Sequence, residues 1–156
     1  MTPAPVKPTV SPDLLKQIDI RVGTIKAVTD VAGSDKLVAL RVSFGDHERT
    51  IVAGLKQERP DPREIEGKQA LFVVNLEPRK MRGALSEGML FDIGYADGVR
   101  PVLSVPESPV PDGSAQADPV ALNHLEHRET GTILWTAWKK QIVTANAPKL
   151  NDSRLR

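Results

Sequence analysis

The 156-residue sequence contains no cysteine, which excludes disulfides, zinc–thiolate centres and thiol nucleophiles. Aromatic residues are scarce at 4%, and before residue 114 the only rings besides histidine are Phe44, Phe72, Phe91 and Tyr95. Phe44, Phe72 and Phe91 fall in phase with apolar neighbours and are expected in a core, which leaves Tyr95 as the one candidate stacking platform. A binder that holds single strands by stacking successive bases on rings is therefore disfavoured. Long apolar runs are also missing. The longest, Ala70–Val74, is far short of the roughly 20 residues that span a bilayer. The N-terminal MTPAPVKPTVSP has no apolar block of the signal-peptide kind and reads as a flexible leader over residues 1–11. A soluble, cytoplasmic protein is expected, with no membrane partner.

An excess of one charge is absent too. Lys and Arg number 21 against 20 Asp and Glu, a formal net charge of +1. Residues 119–156 carry six Lys/Arg and three Asp/Glu, so the rest of the chain is slightly acidic. A polyanion would have to be held by a local patch, with modest and salt-sensitive affinity.

Residues for catalysis are hard to find. His124 and His127 have one-face helical spacing, but no third ligand accompanies them, so a solvated surface is favoured over a metal site. Gly33-Ser34-Asp35-Lys36 lacks the spacing of a phosphate loop. Ser86 has neither a nucleophile elbow nor a neighbouring histidine. His47 follows a turn and reads as exposed. Neither a catalytic residue, a metal ligand nor a cofactor is expected.

What is present is β patterning. Ser11 and Pro12 mark a helix start, followed by the apolar face Leu14, Leu15 and Ile18. Ile18, Ile20 and Val22 then alternate, the phase slips at Gly23-Thr24, and Ile25 and Ala27 continue on the other parity. Val38–Phe44 and Arg49–Leu55 read as the second and third strands. Asp61-Pro62-Arg63-Glu64 caps a short helix stopped by Gly67, with Glu64 at the capping-box position. Ala70–Asn75 reads as a fourth strand and Met89, Phe91, Ile93 and Tyr95 as a fifth. Asp97-Gly98 signals a hairpin into Val99–Val105. Three strands, a short helix and further strands give an all-β OB-fold, a five-stranded Greek-key barrel with a short N-terminal helix and extra strands, over residues 12–113. An SH3-like barrel or partial sandwich is the alternative. Residues 114–156 read as a partly helical appendage with a mobile tail, in which Leu134, Trp135, Trp138 and Ile142 follow helical spacing around Lys139 and Lys140.

The most informative stretch is NLEPRKMRGALSEGM, residues 75–89. Arg79, Lys80 and Arg82 fall within four positions, bracketed by Pro78 and Gly83, so the charges sit on a loop or rim of the barrel. Lys80 and Arg82 are suited to phosphates, Arg82 through two N–H groups at once. Asn75 offers donors and an acceptor to a base edge or ribose, and Ser86 a hydroxyl. Met89 can pack beneath a base or face the core. On spacing alone, a solvated loop with no specific ligand fits these residues equally well. A structured RNA, gripped by backbone and 2′-hydroxyls, suits this ring-poor surface better than a single strand.

At these residues the chain resembles the tRNA-binding domain family, which includes free-standing dimeric tRNA-binding proteins and modules of methionyl-tRNA synthetases. The matching stretches are IDIRVGTI (18–25), SDKL (34–37), RTIVAGL (49–55), IEGKQALFVVNL (65–76) and PRKMRGALSEGM (78–89), together spanning about residues 12–113. The resemblance implies an OB-fold, a homodimer, tRNA bound by shape, and no catalysis, with an aminoacyl-tRNA synthetase as a possible partner. It places RNA contacts on Asn75, Lys80, Arg82, Ser86 and Met89. A related branch acts as a chaperone-like peptide binder in protein export, and the SEGM wording is nearer the tRNA-binding branch. Val31-Ala32-Gly33 departs from the family's proline-containing turn, and the appendage has no family counterpart.

Overall fold

The computed structural model describes residues 3–116, which lie within one compact unit, Met1–Gln116. The expected appendage helix, with Trp135, Trp138, Lys139 and Lys140, lies outside the described residues, as do His124 and His127. Residues 3–10 have no regular secondary structure and are exposed, with Ala4 N–H donating to Asp97 Oδ1 at 2.6 Å.

Helix α1, Pro12–Leu15, is a single turn capped by Ser11, whose hydroxyl accepts from Asp13 N–H. Its expected apolar face finds no core: Leu14, Leu15 and Ile18 all remain exposed. Strand β1, Ile20–Asp30, then runs antiparallel to both neighbours, pairing with β4 (Gln69–Val73) from Ile20 to Thr24 and with β2 (Val38–Ser43) from Thr24 to Asp30. Val22, Gly23, Ile25 and Val28 are the buried residues along it. The parity change after Val22 falls where β1 passes from one partner to the other. The register shift itself lies slightly later, between Ile25 and Ala27. Glu66 Oε1 accepts the Val28 N–H just past that bulge, at 2.8 Å.

Strand β3, Glu48–Ala53, pairs with β2, and the chain returns through a 3-10 turn, Pro62–Ile65, to place β4 beside β1. The turn is capped by Asp61, which accepts from Arg63 N–H at 2.9 Å. Glu64 closes no capping box; its Oε1 takes Arg59 at 2.8 Å and Arg100 at 3.3 Å instead. The sheet order β3-β2-β1-β4-β7, with β7 at Met89–Leu90, is the curled five-stranded Greek key of an OB-fold.

The strands curl around Ile25, Val28, Val38, Leu40, Val42, Phe44, Ile51, Leu55, Ala70, Phe72 and Val74, with Ile65 of the 3-10 turn in the same cluster. Each fully buried apolar side chain contributes about 1.5–3 kcal/mol. Phe44 and Phe72 meet edge-to-face at 5.7 Å. Phe91, expected in this core, is only half-buried.

The expected fifth strand is broken for a related reason. Phe91 donates its N–H to Leu71 O at 3.0 Å, while its own carbonyl accepts from Ser104 N–H at 3.2 Å, so the chain changes partner there. Beyond Phe91 the chain enters a separate ribbon, β8 (Asp92–Ile93) with β9 (Val102–Leu103), joined through a 3-10 turn at Tyr95–Asp97 rather than a tight Asp97-Gly98 hairpin. The expected parity is reversed as well. Leu90 packs on the core, whereas Met89, Ile93 and Tyr95 are exposed.

Residues 112–116 form a strap along the edge of β1 that β2 leaves free. Gly113 N–H donates to Val22 O at 2.8 Å, Val22 N–H to Ser114 O at 2.9 Å, and Gln116 N–H to Ile20 O at 2.8 Å. Asp112 anchors the strap, accepting from Thr24 Oγ1 at 2.6 Å and Gln69 Nε2 at 3.0 Å.

Candidate nucleic-acid interface

The connection from β4 to β7 carries a two-stranded ribbon, β5 (Arg79–Met81) and β6 (Ala84–Ser86), with Lys80 opposite Leu85 and Met81 opposite Ala84. The two-residue turn between them is Arg82-Gly83, with φ of 50° and 84°. Two successive positive φ values are the signature of a type I′ hairpin turn, where Asn or Gly is favoured at the first position. Arg82 is the one non-glycine residue with positive φ among the described residues. Left-handed backbone costs a side-chain-bearing residue about 1–2 kcal/mol. An arginine is thus held at the tip against local preference.

Arg79, Lys80 and Arg82 are all exposed, and none has an acidic partner among the described residues. Their charge is available to an outside anion. Met89 is exposed at the start of β7, apart from the core.

The two remaining residues of the expected site are occupied internally. Asn75 Oδ1 accepts Asp19 N–H at 2.8 Å and its amide donates to Gln17 O at 2.6 Å, pinning the chain between α1 and β1 to the end of β4. Ser86 is buried; its hydroxyl accepts Val52 N–H at 3.0 Å and donates to Gly88 O at 3.0 Å. These roles belong to closure of the barrel. Among the described residues no ladder joins β3 to β7, so the seam is sealed piecemeal. Glu87 N–H donates to Thr50 O at 2.8 Å, Glu87 Oε2 accepts Thr50 N–H at 3.0 Å, and Ser86 takes Val52. Gly88 completes the seam because a Cβ there would lie 2.6 Å from Val73 O. Ser86-Glu87-Gly88 is therefore accounted for by closure, whichever ligand the barrel holds.

Arg49 links this seam to the ribbon's base, donating from Nη1 to Val74 O and, at 3.2 Å, to Glu87 O. Sequence reasoning passes over it, since an arginine in an alternating strand reads as solvated.

From Glu87 beside Thr50 to Ser86 beside Val52, the ribbon climbs along β3 toward Ala53, which pairs with Val38 at the start of β2. The tip thus points to the end of the barrel where the β1–β2 loop lies. In OB-folds the face of strands 2 and 3, flanked by this loop and the connection from the fourth to the fifth barrel strand, here β4 to β7, is the oligonucleotide surface. No group of three or more metal-ligating side chains occurs among the described residues. Nor is any described helix long and apolar enough to cross a membrane.

The cationic ribbon lies in that connection of the OB-type barrel, with none of its three charges paired to an acidic side chain among the described residues. The chain belongs to the family described as "Putative tRNA binding domain", which it matches over residues 20–115. A methionine–tRNA ligase of Parabacteroides distasonis is 40% identical over 110 residues, covering 70% of this chain and 16% of that protein. This chain therefore corresponds to a small part of that relative. A MetRS-related protein from Pyrococcus horikoshii is 36% identical, with a TM-score of 0.65 over 71% of this chain and 100% of the other. A CsaA chaperone protein from Picrophilus torridus is 28% identical, with a TM-score of 0.60 over 70% of this chain and 100% of the other.

Proposed function

We propose that this chain is a non-catalytic, structure-selective tRNA-binding protein acting in the cytoplasm. The observation that carries the reading is Arg82, held at φ 50° on a turn flanked by Arg79 and Lys80, with none of the three charges paired among the described residues. Arg79, Lys80 and Arg82 neutralise backbone phosphates, and Met89, exposed at the start of β7, is a further contact. Asn75 and Ser86 read from the sequence as RNA contacts; their hydrogen bonds to Gln17, Asp19, Val52 and Gly88 favour closure of the barrel instead. Association with an aminoacyl-tRNA synthetase is supported by the likeness to a methionine–tRNA ligase. A homodimer would double a weak patch on one folded RNA, and the exposed Leu14, Leu15 and Ile18 offer an apolar surface for it.

A chaperone-like peptide-binding role is the second reading, supported by the likeness to the CsaA chaperone protein. Electrophoretic-shift titration of folded tRNA against an unstructured oligomer of equal length separates the two. Preferential, salt-sensitive retention of the folded RNA supports the proposal. Salt-insensitive binding, or no discrimination between the RNAs, overturns it.

A further inference from the structure

A second feature lies at the opposite end of β3, outside the cationic ribbon. The turn from β2 to β3 opens into a cleft of about 460 Å³, lined by His47 and Phe44 of the turn, Arg49, Arg21 and Asp112 among others. That volume lies within the range of small-ligand sites. The His47 ring is fixed on three sides. Its Nδ1 lies 2.6 Å from Asp46 Oδ1, Arg49 Nε donates to its Nε2 at 3.4 Å, and Phe44 stacks on one face with centroids 5.5 Å apart and planes 25° from parallel. With Nε2 accepting, the neutral ring carries its proton on Nδ1 and donates it to Asp46. Nearly half of the side chain, 47%, is still exposed. The exposed part of the ring is thus held in place before any ligand arrives, which lowers the ordering cost of stacking on it.

The charges around it select the ligand. Asp19, Asp46 and Asp112 face Arg21 and Arg49 in the lining, and Arg21 is already held by both oxygens of Asp19, at 2.6 and 3.0 Å. This balance is unfavourable to a phosphate. It suits a flat, uncharged, polar group whose donors reach carboxylates and whose face meets a ring.

We propose that this cleft takes one unpaired nucleobase of the RNA gripped by the ribbon, stacked on His47. The inference rests on the RNA-binding reading above. Arg49 supplies the physical connection: the guanidinium that orders His47 also binds Val74 O and Glu87 O at the ribbon's base. Base–aromatic stacking contributes about 1–3 kcal/mol per base, at least fivefold in affinity.

The test uses the full chain and two RNA stems of one sequence, one blunt and one ending in a single unpaired 2-aminopurine nucleotide. The wild type is expected to bind the overhang at least fivefold more tightly than the blunt stem and to quench its fluorescence. His47→Ala should abolish both the gain and the quenching while leaving blunt-stem affinity unchanged, and His47→Tyr should restore them. Equal wild-type affinity for the two stems, or an equal loss on both in His47→Ala, overturns the subsite. The wild-type comparison stands even if a variant misfolds. Lys80→Ala with Arg82→Ala, run alongside, should weaken both stems alike. If it leaves both unchanged, the ribbon reading fails, while the overhang difference still reports on the cleft.

Discussion

Removing the Asp112 carboxylate should detach the strap from the barrel, and the structure sets the size of the effect. Burial alone pushes the Asp112 carboxyl up, but hydrogen bonds from Thr24, Gln69 and Ser43, with the positive charge of Lys26, outweigh it and hold the group below the usual carboxylate range. Two of these donors are at 2.6 and 3.0 Å. Asp112→Ala removes them together, leaving the Thr24 hydroxyl without this acceptor and the Gln69 amide with only Val110 O. At about 1–2 kcal/mol for each lost bond, the low end of the range because both are only part-buried, the cost is about 2–4 kcal/mol. For a domain of this size, about 4 °C per kcal/mol places the fall in Tm at roughly 8–16 °C. Asp112→Asn should cost less, because one oxygen remains to accept. The pH dependence has a definite sign. A carboxyl whose folded pKa is depressed stabilises fully above its unfolded value, near 3.9, and loses that contribution as pH falls through the lower folded value. The gap between wild type and Asp112→Asn should therefore be widest near neutrality and shrink in acid. Calorimetric melts at pH 7 and pH 3 measure it. A Tm within 2 °C of wild type for Asp112→Ala, or a gap that widens in acid, would show that the carboxylate does not anchor the strap.

Ser86→Ala strips the acceptor from the buried Val52 N–H, which should cost about 1–3 kcal/mol and speed hydrogen exchange at the Val52 amide at least tenfold; unchanged protection there would remove Ser86 from the seam. Glu58 has a buried Oε2 with no hydrogen-bond partner among the described residues, and its pKa is raised by burial and by the charge of Asp92, against a smaller opposing effect of Arg59. A raised carboxyl pKa means that ionised Glu58 opposes folding above its folded pKa, a penalty relieved as pH falls through that value. Glu58→Gln should accordingly raise Tm at pH 7 and give no gain near pH 4, and a gain that is equal at both would contradict the assignment.

The barrel is legible in the sequence because a sheet with one buried face imposes a period of two, and Val38, Leu40 and Val42 obey it. The ribbon is legible because Pro78 and Gly83 exclude a helix around the three cations. Other features depend on contacts that local patterns do not encode. At Met89–Tyr95 every second residue is apolar, yet Leu90 on the other parity packs inward, because the chain changes partner at Phe91. The strap escapes sequence reasoning because residues 112–116, which follow a proline-rich run, have no apolar alternation; its pairing comes from the free edge of β1. Asn75 and Ser86 offer the same donors and acceptors to an RNA or to a neighbouring strand, so residue type alone does not separate the two roles. His47 becomes informative only once the turn brings it onto Phe44.

Under the proposed function, Arg79, Lys80 and Arg82 present their positive charge, unpaired among the described residues, to the sugar–phosphate backbone of a folded RNA. The most direct measurement is the salt dependence of tRNA affinity for the wild type and for Lys80→Ala with Arg82→Ala. At about 0.9 per phosphate contact, the wild type should show a log–log slope of roughly −2 to −4, and the double variant a slope about 2 units shallower with at least tenfold weaker binding and an unaltered Tm. An unchanged slope and affinity in the double variant would contradict the account.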